Sequence, residues 1–197
     1  MKSNICRIDN GNKDLVAIFK ECEKVAAYNE LSSKQALQLR LICEEIDGML
    51  PNVIDEFAGD IWFEYEEGVC KVNLSIRIPE FDIGKKEQLI GIAKNKKNAA
   101  VVGLADKLRS AIEDFLLDEH AIKSLVTESD LHRLAPGYST SVDYAYLWTL
   151  DGYKSNIGEG KEEWDELEKS VLASVADDVI VGVKGHRADI TIVKKFA

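Results

Sequence analysis

Apolar positions recur at helical spacing along two early stretches of the chain. Between residues 13 and 29, Leu15, Ile18, Phe19, Cys22, Val25 and Ala26 fall on one face, which predicts an amphipathic helix. A second stripe, Leu39, Ile42, Ile46, Met49 and Val53, predicts another helix, with Ser32 and Gln35 in capping-box spacing at its start. Pro51 has no amide hydrogen and is expected to kink or end that helix nearby. Ahead of both, Ile5–Ile8 reads as a short strand closed by the turn-prone Asp9-Asn10-Gly11-Asn12.

The period then changes to that of a strand. Residues 60–66 and 70–78 predict a hairpin around Glu66-Glu67-Gly68. Its second arm alternates Val72, Leu74, Ile76 and Ile78 with Asn73, Ser75 and Arg77. One buried face and one polar face are what a sheet covered by helices on a single side requires. Helices are expected over 85–94 and about 98–117. A strand is expected from Ser139 to Leu150, with Val142, Tyr144, Tyr146 and Trp148 on one side as sheet core. A helix over 161–176 would turn Trp164, Leu167, Val171 and Val175 inward. Asp178–Val183 and Ala188–Val193 would close the chain as a hairpin across Lys184-Gly185-His186-Arg187.

Composition narrows the classes. With 197 residues, 46% hydrophobic and 30% charged, the chain reads as one ordinary globular domain over residues 1–197. No apolar run approaches the roughly 18–20 residues of a membrane helix. The opening MKSNICRIDNGNKD has no apolar signal core, so the cytoplasm is the expected location. The net charge of −10 repels phosphate backbones and anionic bilayers, so neither nucleic acid nor membrane is an expected partner. Cys6, Cys22, Cys43 and Cys70 show no C-x-x-C spacing and no structural metal is expected. Cys22 and Cys43 lie on apolar stripes and read as small core residues. The sequence places no cation beside them that would argue for a reactive thiol.

Two features could carry chemistry. Glu44 and Glu45 interrupt an apolar helical run and point about 100° apart, so they cannot share one environment. One is expected in water and the other toward a cavity, against the plainer reading of two solvated carboxylates. Lys85, Lys86, Lys94, Lys96 and Lys97 stand just ahead of a helix beginning near Asn98, where free backbone amides and lysines would suit an anion. The plainer reading here is a solvated loop.

The order strand, helix with paired glutamates, hairpin, lysine-rich stretch ending in Gly103-Leu104 and closing hairpin resembles the histidine-kinase-like ATPase (GHKL) fold, nearest to its anti-sigma-factor serine kinases. The resemblance covers roughly residues 1–110 and 176–197, leaving 111–175 as an elaboration. It implies a two-layer α/β sandwich with a mixed, mostly antiparallel sheet and helices on one face. By the resemblance, Glu45 corresponds to the general base, and the family's magnesium-holding Asn four residues on is Met49 here, with Asn52 one turn later reaching similar space. The family's adenine-reading D-x-G-x-G Asp would fall at Ile78. The nearest substitute is Asp82-Ile83-Gly84, with Lys86 at the second glycine position. The lid and phosphate loop correspond to Lys94, Lys96, Lys97 and Asn98 through Gly103 and Leu104, without the earlier glycines. Ala188 stands where the family's last strand usually begins with Thr. His120, His132 and His186 lack the setting of a phosphoaccepting histidine, which excludes a full sensor kinase.

The resemblance therefore implies ATP and Mg2+ as cofactors. The function it implies is a regulatory ATP-binding protein of weak or absent hydrolysis that holds or phosphorylates a protein partner. The alternative is a pseudo-ATPase that binds no nucleotide and works as a protein-interaction module through the 111–175 elaboration. Met49, the displaced Asp82 motif and the missing loop glycines favour that alternative.

Overall fold

Two hairpins account for most of the sheet. In a computed structural model of the chain, residues 1–9, 15–54, 56–77, 104, 107–109, 112, 146–157, 170–184 and 187–196 are described. The first hairpin pairs β2 (Ala58–Glu66) with β3 (Val69–Arg77) across Glu67 and Gly68. Both turn residues have positive φ, 47° and 79°, the backbone of a two-residue loop whose twist matches its strands. Gly68 is needed for a second reason: a Cβ there would stand 2.9 Å from the Phe196 carbonyl oxygen. The closing hairpin pairs β5 (Asp178–Lys184) with β6 (Arg187–Lys195).

The hairpins join through β3 and β6. β1 (Cys6–Asp9) adds to one edge and β4 (Tyr146–Thr149) to the other, in the order β1-β2-β3-β6-β5-β4. Every pairing among these strands is antiparallel, which corrects the expected mixed sheet. The reason lies in the connections. Each hairpin reverses direction at its turn, and the β3–β6 seam also runs antiparallel, so no pair of neighbours needs the crossover of a parallel pair.

Side chains on one face line up from edge to edge. Cys6, Ile61, Leu74, Ile190, Val181 and Trp148 are successive cross-strand partners. Phe63, Val72, Ile192 and Val179 form a parallel row. On this face lie α1 (Leu15–Tyr28), through Ile18, Cys22, Val25 and Ala26, and α2 (Ser33–Val53), through Leu39, Ile42, Ile46, Met49 and Leu50. Leu104, Leu108 and Ile112 are helical and buried in the same core, at the spacing of one helical stripe. The other face carries the polar residues, yet its centre is closed. Asn73 and Thr191 are 7% and 8% exposed, and the Thr191 hydroxyl donates to Asn73 Oδ1 at 3.1 Å.

Some boundaries differ from the sequence pattern. Ile5 is exposed and precedes β1. α2 runs to Val53 with Pro51 inside its last turn, closed by the Ile54 amide donating to the Leu50 carbonyl at 3.0 Å. Leu150, expected in a strand, begins α3 (Leu150–Ile157), where Asp178 Oδ1 accepts the Asp151 amide at 3.1 Å. Val171, expected inward, is exposed at the start of α4 (Val171–Val175), while Leu172 and Ala173 are buried. Ser170 explains the change of phase: its hydroxyl accepts the Ala173 amide at 3.3 Å and starts a new helix. Trp164, Leu167, residues 139–145 and the stretch 85–94 lie outside the described residues. No described helix is long and apolar enough to cross a membrane.

Candidate functional site

The region that carries the expected chemistry is the helical layer, and its geometry starts with a short connection. The Leu31 amide donates to the Ala26 carbonyl at 2.9 Å, and Glu30 adopts a left-handed backbone with φ of 52°. Ser32 then opens α2. Its Oγ accepts the Gln35 amide at 3.4 Å while Gln35 Oε1 accepts the Ser32 amide at 2.9 Å, the reciprocal cap expected from the sequence. So short a link lays α1 and α2 side by side.

Between them runs an open groove of about 660 Å³. Phe19, Cys22, Ala26, Leu31, Ala36 and Leu37 line it, and Glu23, Glu30 and Arg40 add charge to it. Leu37 is 56% exposed. Arg40 ties the two helices together. Its guanidinium lies 4.8 Å from the Phe19 ring centroid, its Nε is 3.1 Å from Glu44 Oε1, and its Nη1 is 3.8 Å from Glu23 Oε1.

Within the helical layer two thiols meet. Cys22 of α1 and Cys43 of α2 share a hydrogen bond between their side chains. The Cys43 thiol, donating to the Cys22 sulfur, holds Cys22 below the usual thiol range against burial and the Glu23 charge, with a smaller contribution from Arg40. Cys43 moves the other way, pushed well up by the same hydrogen bond and by burial. Cys70, on the central strand β3, is pushed up to about 12 by burial. All four cysteines are buried thiols outside any disulfide.

The paired glutamates separate as their angular offset requires. Glu44 is exposed and bound to Arg40, while Glu45 is half-buried. Glu45 and Met49 are one turn apart on the same side of α2. Met49 is 7% exposed and belongs to the core with Ile46 and Leu50. The position that the resemblance assigns to an oxygen ligand thus holds a buried thioether. Magnesium takes hard oxygen donors, so the residues present do not fit that ion there. Asn52 lies in the last turn of α2.

Asp82, Gly84, Lys94, Lys96, Lys97, Asn98 and Gly103 lie outside the described residues. Leu104 is described, and its side chain is 2% exposed in the core. Glu45 and Asn52 are therefore the expected site residues that the described structure gathers on one element, with Met49 between them. Among the described residues, no group of three His, Cys, Asp or Glu side chains is placed to hold a metal ion.

Sequence reasoning missed the Cys22–Cys43 contact and its neighbour Arg40. A signal was present. The two cysteines lie on the apolar stripes of two helices joined by the short Asn29–Ser32 connection, Cys22 seven residues before it and Cys43 eleven after it, so both face the seam of a helical hairpin. No family model, curated protein or solved structure matches the chain.

Proposed function

We propose that the chain is a protein-binding regulatory module on a histidine-kinase-like type of sandwich, without magnesium-dependent phosphoryl transfer. The observation that carries this reading is Met49, buried in the core at the position of the family's magnesium ligand. Phosphoryl transfer depends on metal ions that bridge the phosphates and neutralise developing charge. Glu45 alone, on a helix whose next turn is apolar there, supplies no such neutralisation. The element order and the two hairpins support the fold assignment.

The groove between α1 and α2 supports the binding role. A third helix can lie along two packed helices, and Ala26, Ala27 and Ala36 let its backbone approach closely. Glu23 and Glu30 in the groove, on a chain of net charge −10, suit an amphipathic segment whose apolar stripe is flanked by Lys or Arg.

Calorimetric titration of the full chain with ATP, with and without magnesium, tests the catalytic half. No magnesium-dependent heat is expected, and micromolar binding that requires magnesium would overturn it. A labelled helical peptide with a Leu/Ala stripe and Lys flanks tests the other half by fluorescence anisotropy. Saturable binding is expected, weakened at least about tenfold by Leu37→Arg. A flat titration would remove the groove from the reading.

A second reading, nucleotide held without turnover, keeps Asp82 and Gly84 at the adenine and Lys94 through Leu104 at the phosphates. The buried stripe of Leu104, Leu108 and Ile112 favours it, because it seats in the core the helix that follows the lysines. Charge reversal at Lys96 and Lys97 separates the two. Lost nucleotide binding supports the second reading, and unchanged stability with unchanged peptide binding supports the first.

A further inference from the structure

We infer that Cys22 and Cys43 form a redox-modification site, in which the Cys22 thiol reacts with a hydroperoxide and Cys43 resolves the product to a disulfide between α1 and α2. Two observations place it here. The two thiols are in hydrogen-bonding contact across a helix–helix interface. Cys22 is 2% exposed, yet it lines the open groove, so a small oxidant held in that groove stands against the residue that must react. Arg40 lines the same groove beside Glu23, whose opposing charge outweighs it at the Cys22 sulfur, so the Cys43 contact rather than a cation is what favours the Cys22 thiolate. Cys70, by contrast, sits fully buried on the central strand β3, and Cys6 on the edge strand β1; neither lines the groove. The site stands whether or not the groove takes a protein partner.

The chemistry balances in two steps. The Cys22 sulfur attacks one oxygen of the hydroperoxide. A sulfur–oxygen bond forms, the oxygen–oxygen bond breaks, and the leaving alkoxide or hydroxide takes the thiol proton. Cys22 is then a sulfenic acid and the hydroperoxide has become an alcohol, or water when hydrogen peroxide is used. The Cys43 sulfur next attacks the Cys22 sulfur. A sulfur–sulfur bond forms, the sulfur–oxygen bond breaks, and hydroxide leaves as water with the Cys43 proton. The two thiols lose two electrons and two hydrogens in all. Cys43 is suited to resolve because it already touches the sulfur it must attack, which replaces a search by a short approach.

The test uses the full chain and hydrogen peroxide. After treatment, remaining thiols are alkylated in denaturant, and intact mass and peptide maps are read. The expected product is a monomer two hydrogens lighter, cross-linked Cys22 to Cys43, with Cys6 and Cys70 alkylated and the link reversed by dithiothreitol. The cross-link should form at least about tenfold faster in the folded chain than in the urea-unfolded chain, where the contact is lost. In Cys43→Ser, the resolving thiol is gone and dimedone should label Cys22. The wild-type peptide map decides the matter by itself if that variant does not fold. Four alkylated cysteines, a disulfide through Cys6 or Cys70, an intermolecular link, or equal rates in the folded and unfolded chain would each overturn the assignment.

Discussion

Met49 packs beside Ile46 and Leu50 under the sheet, and an asparagine in its place would be asked to do two incompatible things. The amide carries two donors and two acceptors into an apolar site, and it leaves part of the thioether's volume empty. Met49→Asn should therefore cost about 2–4 kcal/mol in urea denaturation and bring no magnesium binding in calorimetry. An Asn variant that keeps wild-type stability and binds magnesium would reverse the reading of this helix. Glu21 is a different case of a polar group under cover. It is 7% exposed and accepts from Lys24 Nζ at 2.6 Å, from the Asn4 amide at 3.2 Å and from Asn4 Nδ2 at 3.1 Å, tying the chain start to α1. Lys24 and the Asn4 donors hold its carboxyl below the usual range, against the opposing effect of burial. A depressed folded value means the stabilisation is present above the unfolded carboxyl's titration, about pH 4.3, and is lost as pH falls through the folded value. Glu21→Gln should cost about 1–2 kcal/mol at pH 7, and its disadvantage should shrink below about pH 4. Denaturant curves at the two pH values check this, and a constant difference would exclude the carboxylate as the cause.

Two glycines separate what a strand demands from what a helix tolerates. Gly59 in β2 faces β3 so closely that a Cβ would stand 2.3 Å from the Ser75 carbonyl oxygen. Gly59→Ala must push the strands apart and should lower stability by about 2–3 kcal/mol. Gly48 lies exposed within α2 with nothing within 4 Å of its Cβ position. Gly48→Ala should raise stability by about 0.5–1 kcal/mol, because it restricts the unfolded chain without a clash. Paired thermal melts read both, and effects of the same sign would discredit this packing of β2 on β3. Elements of this kind were legible where local chemistry and burial agree. The Ser32–Gln35 cap, the Glu67-Gly68 turn and the Val72–Leu74–Ile76 alternation each name their own structure. The start of α4 was not, because Val171 matches a longer helical stripe by spacing while Ser170, a cap, starts a new helix. Asn73 was expected on a polar face, and only its cross-strand partner Thr191, far along the sequence, lets it be buried.

At the scale of the whole molecule, the distribution of partners across the sheet governs how it opens. β3 is bonded on both sides along nine residues and β6 along seven, and their inward side chains, from Val72 to Ile192, are buried. Among the described residues, β1 and β4 are four-residue strands with one neighbour each. The same global view explains why the site was harder to read than the fold. Sheet order follows from hairpins that the sequence marks locally, whereas the Cys22–Cys43 contact exists only once two helices are laid side by side. Amide exchange in the native state should therefore be slowest in β3 and β6, where release requires global unfolding, and fastest in β1 and β4, where fraying suffices. Because one row of side chains runs from Cys6 to Trp148, the β2–β3 and β5–β6 hairpins should lose protection together as denaturant is added. If β5 and β6 exchange well before β2 and β3, the seam between β3 and β6 is the weak line of the fold, and the helices over β2 and β3 hold a separate cooperative unit.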